Sequence, residues 1–141
     1  MNVNIMAVLV AAVAMFVVGA IWYMPIFGRA WGRVNGLDFE SMSKKEQAAA
    51  RKAMGPQMVL QFVMTLVSAW VLAKLMTLLP DQSPYTLAGY VWLGFIVPAQ
   101  VAAVIFGNSK RGFMAQKVAI MAGEAILRLE VAALIISTLQ K

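Results

Sequence analysis

Apolar positions in this chain run on almost unbroken, with neither strand alternation nor the three-to-four spacing of a half-exposed helix. A helix needs about 20 mostly apolar residues to cross ~30 Å of hydrocarbon. Four stretches meet that need: about Val3 to Met24, Gln57 to Leu79, Tyr85 to Phe106 and Val118 to Leu139. The first has no charge and ends in Trp22 and Tyr23 before Pro25. Trp and Tyr favour the membrane–water boundary, and Pro ends a helix. A cleaved signal peptide is the rival reading of this stretch. It needs a basic start and a shorter apolar run, whereas here Met1-Asn2-Val3-Asn4 comes first and positive charge follows.

Polar segments punctuate the rest. Gly55-Pro56 precedes the second stretch, and Lys74 near its end can snorkel to the interface. Asp81-Gln82-Ser83-Pro84 form a tight turn, and Asn108 to Gly112 separate the third and fourth stretches. No sequence repeat is visible. In the long segment 26–54, Ser43-Lys44-Lys45-Glu46 reads as a capping box, with good helix formers after it. It predicts a short basic amphipathic helix on the membrane surface, or one that runs into the second span with a break at Gly55-Pro56. The predicted fold is all-α: one integral membrane domain, a four-transmembrane-helix bundle.

Composition strengthens this picture. The chain is 62% hydrophobic and 13% charged over 141 residues, against roughly 25% charged in soluble domains. Its mean hydropathy is +0.77. A soluble domain of this size has too much surface to hide that apolar content. Cysteine and histidine are absent. That excludes disulfides, thiolate nucleophiles, Cys/His zinc sites, His-ligated haem and imidazole acid–base catalysis. No cofactor is expected. The eleven methionines read as soft packing, since no Met-x-x-Met clustering points to a metal.

The net charge of +6 gathers beside apolar spans, which favours anionic lipid headgroups over nucleic acid as the partner. Arg29, Arg33, Lys44, Lys45, Arg51 and Lys52 lie in the first loop, and Lys110, Arg111 and Lys117 in the third. The other side has only Lys74 and Lys141. The positive-inside rule then predicts cytoplasmic first and third loops and both termini outside.

The fourth stretch is the most informative. It carries Glu124, Arg128 and Glu130, with Arg128 near the bilayer midplane. Each central charge costs ~2.5–3.5 kcal/mol on insertion scales, so lipid exposure is disfavoured. Lys117, Glu124 and Arg128 fall within about 40° of one another around a helix, and Glu124 and Arg128 are spaced for an i, i+4 ion pair. Glu130 points about 160° away from Arg128 and needs a partner, a proton or a second subunit. Gln57, Gln61, Thr65 and Ser68 share a face of the second span. Pro98 interrupts the third beside Gln100 and frees the carbonyl of residue 94. Two readings stand: a static buried pair with Gln61 and Gln100 as interhelical glue, or a ligand, proton or ion site.

Small-xxx-small runs at Ala99, Ala103, Gly107 and at Ala115, Ala119, Gly123 predict contact between the third and fourth helices, or else a seam between copies in a homodimer or higher homo-oligomer.

The string Ile21-Trp22-Tyr23-Met24-Pro25-Ile26-Phe27-Gly28-Arg29-Ala30-Trp31 carries a WY-x-P-x-FG-x-x-W motif. With Val91 to Phe95, VWLGF, it resembles the family called domain of unknown function 1761, small bacterial membrane proteins, over most of the chain. The resemblance implies topology, in the bacterial cytoplasmic membrane, and no activity. Physically, Trp22, Tyr23, Phe27 and Trp31 suit the headgroup level, and Arg29 and Arg33 suit lipid phosphates. This is an interfacial aromatic belt or, alternatively, a lipid-binding vestibule.

Three function classes follow. The first is a transporter-like or ligand- or lipid-binding bundle with its buried site at Glu124, Arg128 and Glu130, with Gln61 and Gln100 as polar contacts. The second is a non-catalytic scaffold acting through the basic first loop. The third is a lipid-modifying enzyme using Glu124 or Glu130 as acid or base, for which no nucleophile–base pair is visible.

Overall fold

The computed structural model describes residues 2–38 and 40–140. Met1 and Lys141, which enter the readings of the chain start and the charge asymmetry, lie outside the described residues. Helix α1 spans Ile5–Ile21 and continues through a π turn at Trp22–Ile26. Asn4 caps it, its Oδ1 accepting from the N–H groups of Met6 and Ala7. Short helices α2 (Gly28–Val34) and α3 (Lys44–Ala53) follow, then α4 (Gly55–Leu78). Helices α5 (Pro84–Val91) and α6 (Val97–Phe106) form one rod through a second π turn at Trp92–Ile96. After a 3₁₀ turn, α7 spans Met114–Leu139.

Three of these rods, Ile5–Ile26, Gly55–Leu78 and Pro84–Phe106, are long and apolar enough to cross a membrane. The fourth, α7, is the longest at 26 residues, but its charges set it apart from the apolar three. Of the four expected spans, three are apolar helices of spanning length and the fourth is a charged rod.

The prolines act differently from the sequence expectation. Pro25 does not end its helix. It sits inside the π turn, where the Phe27 N–H reaches back to the Trp22 carbonyl at 2.8 Å. Likewise the Val97 N–H donates to the Trp92 carbonyl just before Pro98. A proline ring clashes with the carbonyl four residues earlier in an α-helix. The wider i→i+5 turn relieves that crowding; it carries the first rod just past Pro25 to Ile26 and lets the third run on into α6. Two of the three apolar rods thus share a structural device that no sequence repeat announces.

Helix α7 is the axis of the molecule. It packs most extensively on α1, then on α5 and α6, while α4 packs mainly on α1. At the end holding both described chain ends, the core is built largely of alanines: Ala11 and Ala12 of α1, Ala69 and Ala73 of α4, Ala132 and Ala133 of α7. Small side chains let helix backbones approach closely. Asn4 Nδ2 donates to the Leu139 carbonyl at 2.8 Å, closing α1 onto the last turn of α7.

The other end is open. Residues 51–61 are all exposed, although they cover about three helical turns. Every face of that stretch is uncovered, so the start of α4 leans away from the bundle. Only Val104 of α6 is buried, and α6 packs on α7 and not closely on α4. A gap therefore widens between α4 and α6 toward the end that carries α2.

Candidate functional site

Helix α7 brings together the charged groups singled out in the sequence. Arg128 Nε lies 3.5 Å from Glu124 Oε1, one turn away on the same helix. The Glu124 side chain is 5% exposed and that of Arg128 is 20% exposed. Gly19 of α1 faces the carboxylate. A methyl group at Gly19 would stand 3.4 Å from Glu124 Oε1. Tyr23 lies close enough to feel both charges.

Gln100 joins the same stripe of α7. Its Nε2 donates to the Met121 carbonyl at 3.3 Å. Met121 and Arg128 are seven residues apart, hence about 20° apart around the helix. Two buried polar atoms along this stripe, Gln100 Oε1 and Arg128 Nε, have no hydrogen-bond partner among the described residues. Native interiors leave few such atoms unsatisfied.

Other expected members are elsewhere. Gln61 is exposed, as are Gln57 and Ser68; only Thr65 of that set is buried, and its hydroxyl donates to the Gln61 carbonyl at 2.8 Å. The polar face of α4 therefore does not converge on Glu124. The reason is that α4 meets the bundle only from Phe62 onward, so its first two turns, Gln61 included, are uncovered. Glu130 is half-buried beside exposed Leu127 and Leu134, and no ion pair involves it among the described residues.

The aromatic motif packs inward. The belt reading leaves the indole N–H of Trp22 to headgroups; the structure gives it to the Ile120 carbonyl of α7, at 3.0 Å. Its ring fills a notch at Gly123, where a Cβ would come within 2.9 Å of Trp22 Cζ2. Trp22 also packs on Phe27, and Tyr23 on Trp31, with ring centroids 4.5 and 4.9 Å apart. Lys117 Nζ stands 5.9 Å over the Trp31 ring. Arg29 and Arg33 are both exposed, and Arg29 pairs with Glu40 at 3.3 Å.

Sequence reasoning missed Trp92. Its Nε1 donates to the Ala122 carbonyl at 2.8 Å. Three consecutive carbonyls of α7, at Ile120, Met121 and Ala122, thus accept from Trp22, Gln100 and Trp92. The available signal was a tryptophan in an apolar run, since a buried indole N–H needs a partner. The third and fourth helices do pack together, as the small-residue runs suggested, but not through those runs. Ala99, Ala103 and Gly107 are exposed, and Gly123 receives Trp22 of α1 and not the third rod.

No curated protein and no solved structure matches the chain. A family model described as protein of unknown function (DUF1761) matches residues 6–137. That match takes in both π turns, their tryptophans and the charged stretch of α7, and on it the chain belongs to this family of unknown function.

Proposed function

We propose that the protein crosses the bilayer four times, α7 being the fourth span, and binds a small or amphiphilic ligand along the polar stripe of α7. One observation carries this reading. Along one stripe of α7, Gln100 Oε1 is a buried acceptor with no hydrogen-bond partner, and Arg128 Nε is a buried donor whose one partner, Glu124 Oε1 at 3.5 Å, lies beyond good hydrogen-bond geometry. Unsatisfied buried polar atoms are costly, and a ligand that completes them offsets that cost. The gap between α4 and α6 supplies lateral access. The first and third loops share one end, because Arg33 and Lys117 border the same cavity. In this reading that basic end is cytoplasmic, in the bacterial inner membrane, with both termini outside.

The test replaces Glu124 and Arg128 separately with Gln, then exchanges their charges, and measures unfolding in detergent. A ligand site resists rescue, because the exchanged pair presents the wrong charge to the ligand. Full rescue by the exchange, with no density beside α7 in a lipid-nanodisc structure, leaves only a static pair.

A second reading rests on α3. It has no buried residue and presents Lys44, Lys45, Arg51 and Lys52. A scaffold that recruits lipid or a cytosolic protein would use this helix. Deleting Ser41 to Lys52 then abolishes recruitment while the bundle stays folded; unchanged recruitment excludes the reading.

A further inference from the structure

At the open end, the tail of α2 meets the loop between α6 and α7 around a cavity of about 270 Å³. Its wall includes Arg33, Lys110 and Lys117, with Asn35 and Asn108 between them, and no carboxylate. Asp38, only two residues beyond Gly36, is not part of the lining. Among the described residues, none of the three cations is in an ion pair. Three like charges around one concavity repel one another unless an anion sits between them.

The local structure holds this arrangement ready. Gly36, at φ +69°, closes α2 in a Schellman turn. The Leu37 N–H donates to the Gly32 carbonyl at 2.8 Å and the Gly36 N–H to that of Arg33 at 3.2 Å. Those carbonyls are thereby occupied and do not compete for the cations. Asn35 Nδ2 is fixed on the Trp31 carbonyl at 2.8 Å. Lys117 Nζ donates to Ser109 Oγ at 3.1 Å and stands over Trp31, so its ammonium is positioned from two sides.

We propose that this cavity is a binding site for a phosphate group, distinct from any ligand bound beside Glu124 and Arg128. Phosphate suits it better than a carboxylate, because its oxygens can accept from several donors around one centre. Arg33 supplies a forked donor and the two lysines supply point charges. The volume lies just below the usual ~300–1,000 Å³ of small-molecule sites, which fits a headgroup-sized anion. The phosphate comes either from an anionic phospholipid or from a soluble phosphate.

The test uses the full chain in nanodiscs and follows its thermal unfolding midpoint. In one arm, inorganic phosphate is titrated into phosphatidylcholine discs against chloride at matched ionic strength. In the other, phosphatidylglycerol replaces part of the phosphatidylcholine without added phosphate. A rise in the first arm identifies a soluble phosphate; a rise confined to the second identifies a lipid headgroup. Lys110→Glu, at an exposed loop position, should weaken whichever effect appears by about tenfold. Lys44→Glu with Lys45→Glu, on α3, should leave it within about twofold, because diffuse surface charge adds little to a defined contact. The proposal is overturned if the wild-type protein responds in neither arm. It is equally overturned if the α3 variant loses as much as Lys110→Glu.

Discussion

The two ends of this bundle are held together by different physics. At the end with the termini, helices meet mainly through alanines, and the polar clasps of Asn4 and Gln140 lie only at the last turn. At the end with α2, the helices spread, and polar groups do the fastening: two indoles and a glutamine on successive carbonyls of α7. Close alanine packing tolerates no added volume. Point fastenings tolerate space between them, and toward that end lie a cavity, an arginine side chain that is 20% exposed and Gln100 Oε1 without a hydrogen-bond partner.

The largest expected effect breaks the packed end. Ala132→Leu, at a position with no exposure, should cost about 3 kcal/mol of unfolding free energy in detergent. Ala102→Leu, on the exposed side of α6, should change it by no more than ~0.5 kcal/mol. Equal losses would mean that the two ends do not differ in packing.

At the open end, Gly123→Ala drives a methyl group against the rigid Trp22 ring. A loss of about 2 kcal/mol is expected. Gly89→Ala, where nothing lies within 4 Å of the added carbon, should instead gain ~0.5 kcal/mol from helix propensity. Next come the fastenings themselves. Trp22→Phe and Trp92→Phe each remove one indole donor and should cost about 1 kcal/mol. Their effects should be close to additive if the fastenings are independent, which a double-mutant cycle checks.

The smallest effect concerns α3. The Ser43 N–H donates to Glu46 Oε2 at 2.7 Å, and the Glu46 N–H donates to Ser43 Oγ at 3.3 Å. The backbone hydrogen bond from Ser43 first, and its side chain second, hold the Glu46 carboxyl below its ordinary value. A depressed carboxyl pKa stabilises above the ordinary value of 4.5 and is lost as pH falls through the lowered one. Amide exchange in α3 should therefore accelerate on acidification below pH 4.5, while the alanine core at the packed end keeps its protection. Ser43→Ala should remove that pH response.

Much of the secondary structure was legible in the sequence. Helix length and apolar content mark the three apolar rods, because a lipid-soluble helix must satisfy its own backbone and carry apolar side chains all round. The capping pattern at Ser43 and Glu46 marks the start of α3 within one residue, because a cap is a local interaction. The spacing of Glu124 and Arg128 marks their pairing for the same reason.

Tertiary structure alone decided the rest. Periodicity puts Gln61 on the face of Thr65, yet α4 meets the bundle only from Phe62 onward, which leaves Gln61 outside. Where a helix meets its neighbours is set by their packing, which spacing along one helix does not encode. Pro25 and Pro98 read as a stop and a kink; π turns accommodate them, and α7 holds the tryptophan that opens each turn, Trp22 and Trp92, from outside its own helix. The phosphate-sized cavity joins residues 33–36 to residues 108–117, far apart along the chain. The sequence by itself determined which segments are helices and where their charges fall. Only the packed chain decided which of those charges meet, because that depends on contacts between helices that no single segment contains.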